Sequence, residues 1–135
     1  MGSTKSRWRM GSTKSRRRLG PPDYLAFLMA TVGSLHFVLP DLMARQIPGL
    51  IPFKRKLVYA SGVVEIACAA GLRERAPWAG RAAAATLLAI WPANIQMAVD
   101  ASSGKAHGVL ASETLMWGRV PLQLPLIWAA LQARP

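Results

Sequence analysis

Residues 82–99 read Ala-Ala-Ala-Ala-Thr-Leu-Leu-Ala-Ile-Trp-Pro-Ala-Asn-Ile-Gln-Met-Ala-Val, a run without one Asp, Glu, Lys or Arg. A helix rises ~1.5 Å per residue, so crossing a ~30 Å hydrocarbon layer takes ~20 mostly apolar residues. With a residue or two of flank, this run has that length. Three further segments share its character. Residues 24–40 carry no Asp, Glu, Lys or Arg, residues 57–72 carry only Glu65, and residues 116–133 carry only Arg119. The pattern predicts an all-α fold, a four-transmembrane-helix bundle with spans at about 24–40, 57–72, 80–99 and 114–133. The rival is a soluble all-helical bundle with unusually apolar helices. A soluble helix should show a broad charged face, and none of the four segments does.

Composition divides the 135-residue chain into two unlike parts. The whole carries 17 Lys and Arg against six Asp and Glu, a formal charge of +11. Seven of the basic residues fall within residues 1–20, and 66 of the 115 residues that follow are hydrophobic. Such a chain is not a disulfide scaffold or a large multidomain enzyme. Residues 1–20 hold a tandem nine-residue repeat, Met1-Gly-Ser-Thr-Lys-Ser-Arg-Trp-Arg9 and Met10-Gly-Ser-Thr-Lys-Ser-Arg-Arg-Arg18, identical at eight positions. This segment is too polar and basic to bury a core and reads as a disordered tail. Met10 is an alternative start. Met-Gly-x-x-x-Ser also has the form of an N-myristoylation signal. A basic tail beside a hydrophobic helix suits anionic lipid better than nucleic acid. A cleaved signal peptide is the rival here, but no clear small-residue cleavage site follows the apolar run.

The helical domain then occupies residues 21–135. Pro21 and Pro22 suit a helix start. Residues 41–56 are rich in breakers, with Pro48, Gly49 and Pro52 among Ile47, Leu50 and Ile51, and read as an apolar loop at a membrane surface. Residues 73–81 form a short basic connection and residues 100–112 a polar turn. With both termini on one side, that side collects 11 Lys and Arg and the opposite side five. The positive-inside rule therefore places both termini in the cytoplasm of a multi-pass protein of the cell membrane. Starting at Met10 narrows the count to eight against five.

Polar side chains within such spans need a reason. They are His36 in the first, Ser61 and Glu65 in the second, Asn94 and Gln96 in the third, and Arg119 and Gln123 in the fourth. Ser61, Glu65 and Cys68 share one helical face, as do Arg119 and Gln123. Asn94 shares a face with Trp91 and Ala98, while Gln96 points elsewhere. Glu65 and Arg119 have opposite charge and lie in different spans, so an ion pair between them would neutralise the interior. Pro92 frees the carbonyl of Leu88. The expectation is an intramembrane polar site of His36, Glu65, Asn94, Arg119 and Gln123. Its alternative is structural glue between helices, since interhelical hydrogen bonds also persist for packing.

The run Leu57-Val-Tyr-Ala-Ser-Gly-Val-Val-Glu-Ile66, with Trp91-Pro-Ala-Asn-Ile-Gln-Met-Ala98, Arg119-Val-Pro-Leu-Gln123 and His36-Phe37 before Pro40, resembles the DoxX-like family. The resemblance covers about residues 24–132. It implies a four-helix integral membrane protein in which His36, Glu65, Asn94, Arg119 and Gln123 belong to the shared core. Several relatives of that family are linked to quinone-dependent sulfur oxidation or to membrane redox complexes. This chain departs from the pattern at Ile47-Pro-Gly-Leu-Ile-Pro52, where a more proline-rich loop is usual, and at Val120, where Leu is common.

The residues limit the chemistry further. Cys68 is the single cysteine, so no intramolecular disulfide or Cys-x-x-Cys exchange is available. His36 and His107 are the two histidines, with no cluster of metal-site spacing, so no metal is expected. A phosphate loop and a supported nucleophile triad are both missing, and no cofactor is encoded. Whether the chain is an enzyme stays open. One function is an accessory or quinone-interacting subunit of a membrane redox system, with electrons from a redox partner protein. A second is a non-catalytic membrane scaffold for a partner. A third is a small solute or proton pathway gated by Glu65 and Arg119. Residues 82–85 offer a smooth alanine face on which a homo-oligomer could form.

Overall fold

A computed structural model describes residues 18–135. The repeat, the myristoylation motif and nearly all of the basic tail lie outside the described residues. Within them the chain is all-α. Helix α1 (Pro21–Val38) and the one-and-a-half-turn α2 (Pro40–Ala44) precede α3 (Lys54–Glu74), α4 (Ala79–Ser102) and α5 (Glu113–Leu131). A 3-10 turn, Gly108–Ala111, lies before α5. The four long helices cover the four segments singled out by charge. Successive long helices pack as neighbours: α1 against α3, α3 against α4, α4 against α5, and α5 back against α1.

The boundaries have local causes. Pro21 and Pro22 occupy the first turn of α1, where a missing N–H costs nothing, and the Asp23 carboxylate accepts the Gly20 N–H at 2.9 Å. Pro40 disfavours helical geometry at Leu39. Helix α1 therefore stops at Val38, two residues before the expected end, and Pro40 opens α2. The expected loop at residues 41–56 thus contains a short helix. Helix α3 begins three residues earlier than its apolar run because Lys54, Arg55 and Lys56 form its first turn. That turn is held by an exposed Arg55–Asp41 ion pair at 2.9 Å and by Lys56 over the Phe53 ring. Ser112 caps α5 by accepting the Leu115 N–H. The polar turn expected at residues 100–112 includes the 3-10 turn, and its Leu110 packs on Met97, Ala98, Ala101 and Met116.

One correction concerns the spans. Among the described residues only α4, about 36 Å long, is long and apolar enough on its own to cross a membrane by length and composition. The other three are interrupted by polarity: Asp23 and His36 in α1, Glu65 and the terminal charges in α3, Arg119 and Gln123 in α5.

Helix contacts are built from small residues. Ala79, Ala83, Ala84, Ala98 and Ala130 are buried, with Leu25, Met29, Cys68, Leu72 and Leu87 filling the remaining core. Gly33 and Gly62 face each other where α1 crosses α3. A Cβ on Gly62 would lie 2.8 Å from the His36 Cβ and 2.9 Å from the Gly33 carbonyl oxygen. Gly80 does the same for α4 and α5, since its Cβ would meet the Ala130 carbonyl oxygen at 2.6 Å. Large apolar side chains point outward instead: Phe27, Val38, Leu88, Ile95, Leu122, Leu124, Trp128 and Leu131 are all exposed. The interior holds Glu65, Asn94 and Gln123, 4%, 6% and 3% exposed.

Candidate functional site: a polar chain beside an interhelical cavity

Helices α4 and α5 bring Asn94, Arg119 and Gln123 into one directed chain of hydrogen bonds. Arg119 Nη2 donates to Asn94 Oδ1 at 3.3 Å, Asn94 Nδ2 donates to Gln123 Oε1 at 3.0 Å, and Gln123 Nε2 donates to the Leu87 carbonyl at 2.7 Å. Each amide accepts on one side and donates on the other, so the chain fixes both amide orientations. It runs from the guanidinium to a backbone carbonyl of α4. Pro121 and Pro125 interrupt the hydrogen-bond ladder of α5 beside it. In this weakened stretch the Trp91 indole N–H donates to the Val120 carbonyl at 3.1 Å, pinning α4 to α5.

Helices α1 and α3 contribute His36 and Glu65. His36 Nδ1 lies 2.8 Å from the Val32 carbonyl and 3.7 Å from Glu65 Oε2. A carbonyl can only accept, so Nδ1 carries the hydrogen and spends it on its own helix. Glu65 Oε2 is consequently buried with no hydrogen-bond partner. Buried polar atoms are nearly always bonded, and leaving one unmade costs about 1–3 kcal/mol, so this oxygen needs an explanation.

A cavity of about 180 Å³ lies between these two groups. Glu65, Thr86, Asn94, Arg119 and Gln123 supply its polar wall. Leu25, Met29, Val32, Leu87, Ile90 and Leu126 supply the apolar remainder, with the exposed Leu28 and Leu122 at the rim. Four of the five expected residues therefore line one cavity; His36 does not line it and lies behind Glu65, its Nδ1 3.7 Å from Glu65 Oε2. The expected Glu65–Arg119 ion pair is not formed among the described residues. Glu65 has His36 as its neighbour and Arg119 binds Asn94 instead. Helix spacing could identify the two faces but not their relative rotation, which sets the partners.

Other expectations resolve plainly. Gln96 is exposed and donates to Asp100 at 2.9 Å, one turn along α4. Ser61 is half-buried and does not line the cavity, while Cys68 is buried 3.9 Å from Thr86 Oγ1. The Leu87 carbonyl and the Trp91 strut were not foreseen. Pro92 pointed instead to the Leu88 carbonyl, and a backbone acceptor has no residue-type signature. Among the described residues no group of three or more His, Cys, Asp or Glu could hold a metal ion.

A family model described as a domain of unknown function (DUF8561) matches residues 25–134. The chain therefore belongs to that family, and the match spans α1 through α5 and every residue of the cavity wall. No curated protein and no solved structure matches the chain.

Proposed function

We propose that the protein is a DoxX-like multi-pass protein of the cell membrane whose bundle holds the head of a quinone for a membrane redox system. The four long helices cross the bilayer, with both termini in the cytoplasm. The membrane reading is supported by helix crossings built from small residues, a few buried polar side chains, and an outer surface rich in large apolar ones, which is how helices pack in lipid. Hydropathy averaged along a helix counts Glu65, Arg119 and Gln123 against α3 and α5 although these three face the cavity.

The quinone reading rests on one observation, the unpartnered Glu65 Oε2 at the edge of the open cavity. An engineered apolar cavity of about 150 Å³ takes benzene, so 180 Å³ suits one ring while its tail leaves past Leu28 and Leu122. Arg119 has N–H groups beyond the one given to Asn94 and would donate to a carbonyl oxygen. Glu65 Oε2 would accept from a hydroxyl, the group that replaces this carbonyl on reduction. A bound quinone supplies two-electron, two-proton redox chemistry. The chain contributes the hydrogen-bonding frame and a proton acceptor at Glu65, and a redox partner protein supplies the electrons. A scaffold role is the second reading, favoured by the apolar loop before α3, where Leu50 is 97% exposed and Phe53 is also exposed.

Mass spectrometry of lipids co-purifying with the detergent-extracted protein tests the proposal. One quinone per chain in wild type and at least tenfold less in a folded Glu65→Gln/Arg119→Gln variant is the expected result. Equal or absent quinone in both would leave the polar chain as helix glue.

A further inference from the structure

A second cavity, about 310 Å³, lies at the end of the bundle where α1 starts and α3 and α5 finish. Three arginines from distant parts of the chain line it: Arg18 before α1, Arg75 at the C-terminus of α3, and Arg134 after α5. Their side chains have no hydrogen bond or ion pair with another described residue. Asp23 is the one carboxylate among the described lining residues, and its Oδ2 accepts the Gly20 N–H. The lining is thus cationic on balance. Its floor is Leu72, which is buried, and its flank is Trp128, which is exposed.

The position of Arg75 is itself unusual. It ends α3 in the left-handed conformation (φ 59°, ψ 37°), with the Ala76 N–H returning to the Gly71 carbonyl at 2.9 Å. Glycine is the usual residue at this point of such a cap. Here the chain places an arginine there, at the mouth of a cavity with two others. A planar guanidinium is suited to bidentate recognition of phosphate oxygens, and three of them exceed what one carboxylate can balance.

We propose that this cavity binds a phosphate group. The apolar floor and the exposed indole beside it fit an anionic phospholipid, its headgroup among the arginines and its glycerol end against Trp128 and Leu72. This source rests on the membrane reading above, whereas the phosphate site itself does not. Free phosphate is the same chemistry from solution. The quinone cavity shares no residue with this one, so the two proposals fail separately.

The test uses the full chain in a neutral detergent, titrated with phosphatidylglycerol, phosphatidylcholine and inorganic phosphate, with bound ligand read by native mass spectrometry. Arg75→Gly removes one charge while giving the cap its preferred residue, so weaker binding cannot be ascribed to misfolding. The Kd for phosphatidylglycerol should rise about fivefold in Arg75→Gly and about 25-fold in Arg75→Gly/Arg134→Gln. Phosphatidylcholine should bind more weakly than phosphatidylglycerol, and Lys105→Gln, an equal charge change outside the cavity, should leave the affinity unchanged. Inorganic phosphate that displaces the lipid at comparable concentration identifies a soluble ligand in the same site. Lipid binding that phosphate does not displace identifies the headgroup. Arginine variants that bind phosphatidylglycerol as wild type does, or wild type that binds neither phosphatidylglycerol nor inorganic phosphate, would overturn the proposal.

Discussion

Asn94 is the link on which the polar chain depends, because it both accepts from Arg119 and donates to Gln123. Asn94→Ala leaves the Gln123 Oε1 atom buried without its donor, and the expected cost is about 1–3 kcal/mol of stability. Glu65→Gln should behave differently. The carboxylate oxygen it replaces has no hydrogen bond to lose, only the 3.7 Å approach of His36, so the expected change is within about 1 kcal/mol. Thermal or denaturant unfolding in detergent compares the two, and a Glu65→Gln as damaging as Asn94→Ala would mean that Glu65 has an unseen structural role. The residue types at this site were legible in the sequence because isolated polar side chains stand out in charge-free segments. Partner choice was not. Whether Glu65 meets His36 or Arg119 depends on helix rotation and crossing angle, which a periodicity does not encode.

Helix positions followed from sequence at the level of elements because charges bracket each apolar run and prolines mark the starts of α1 and α2. Their ends shifted where local chemistry outweighed hydropathy, as at Leu39 before Pro40 and in the basic first turn of α3. The glycines show what hydropathy misses. Gly62 permits α1 and α3 to approach, whereas a Cβ on Gly118 of α5 would meet nothing within 4 Å. Gly62→Val should therefore cost at least about 1–3 kcal/mol by overpacking against backbone. Gly118→Ala should stabilise by up to about 1 kcal/mol through helix propensity. Equal effects of the two, measured by urea unfolding, would contradict the crossing described between α1 and α3.

The whole molecule is arranged with alanine, glycine and a few polar side chains at the helix crossings, a small set of leucines and methionines filling the rest of the core, and most of its large apolar side chains outside. Charge spacing located four helices, but this radial order emerges only when the helices are assembled, as does the arginine-lined cavity joining residues 18, 75 and 134. In water such an outer surface would be a large apolar liability. In a bilayer it is the required one, and the proposed topology has all four long helices crossing it. Four single-cysteine variants in a Cys68→Ser background, Gly49→Cys, Ala76→Cys, Ser103→Cys and Arg134→Cys, test this with a membrane-impermeant maleimide on intact cells. Labelling at 49 and 103 from outside, with 76 and 134 labelled only after permeabilisation, is the expected result. Recovery of the protein in the soluble fraction, or equal labelling at all four positions, would contradict it.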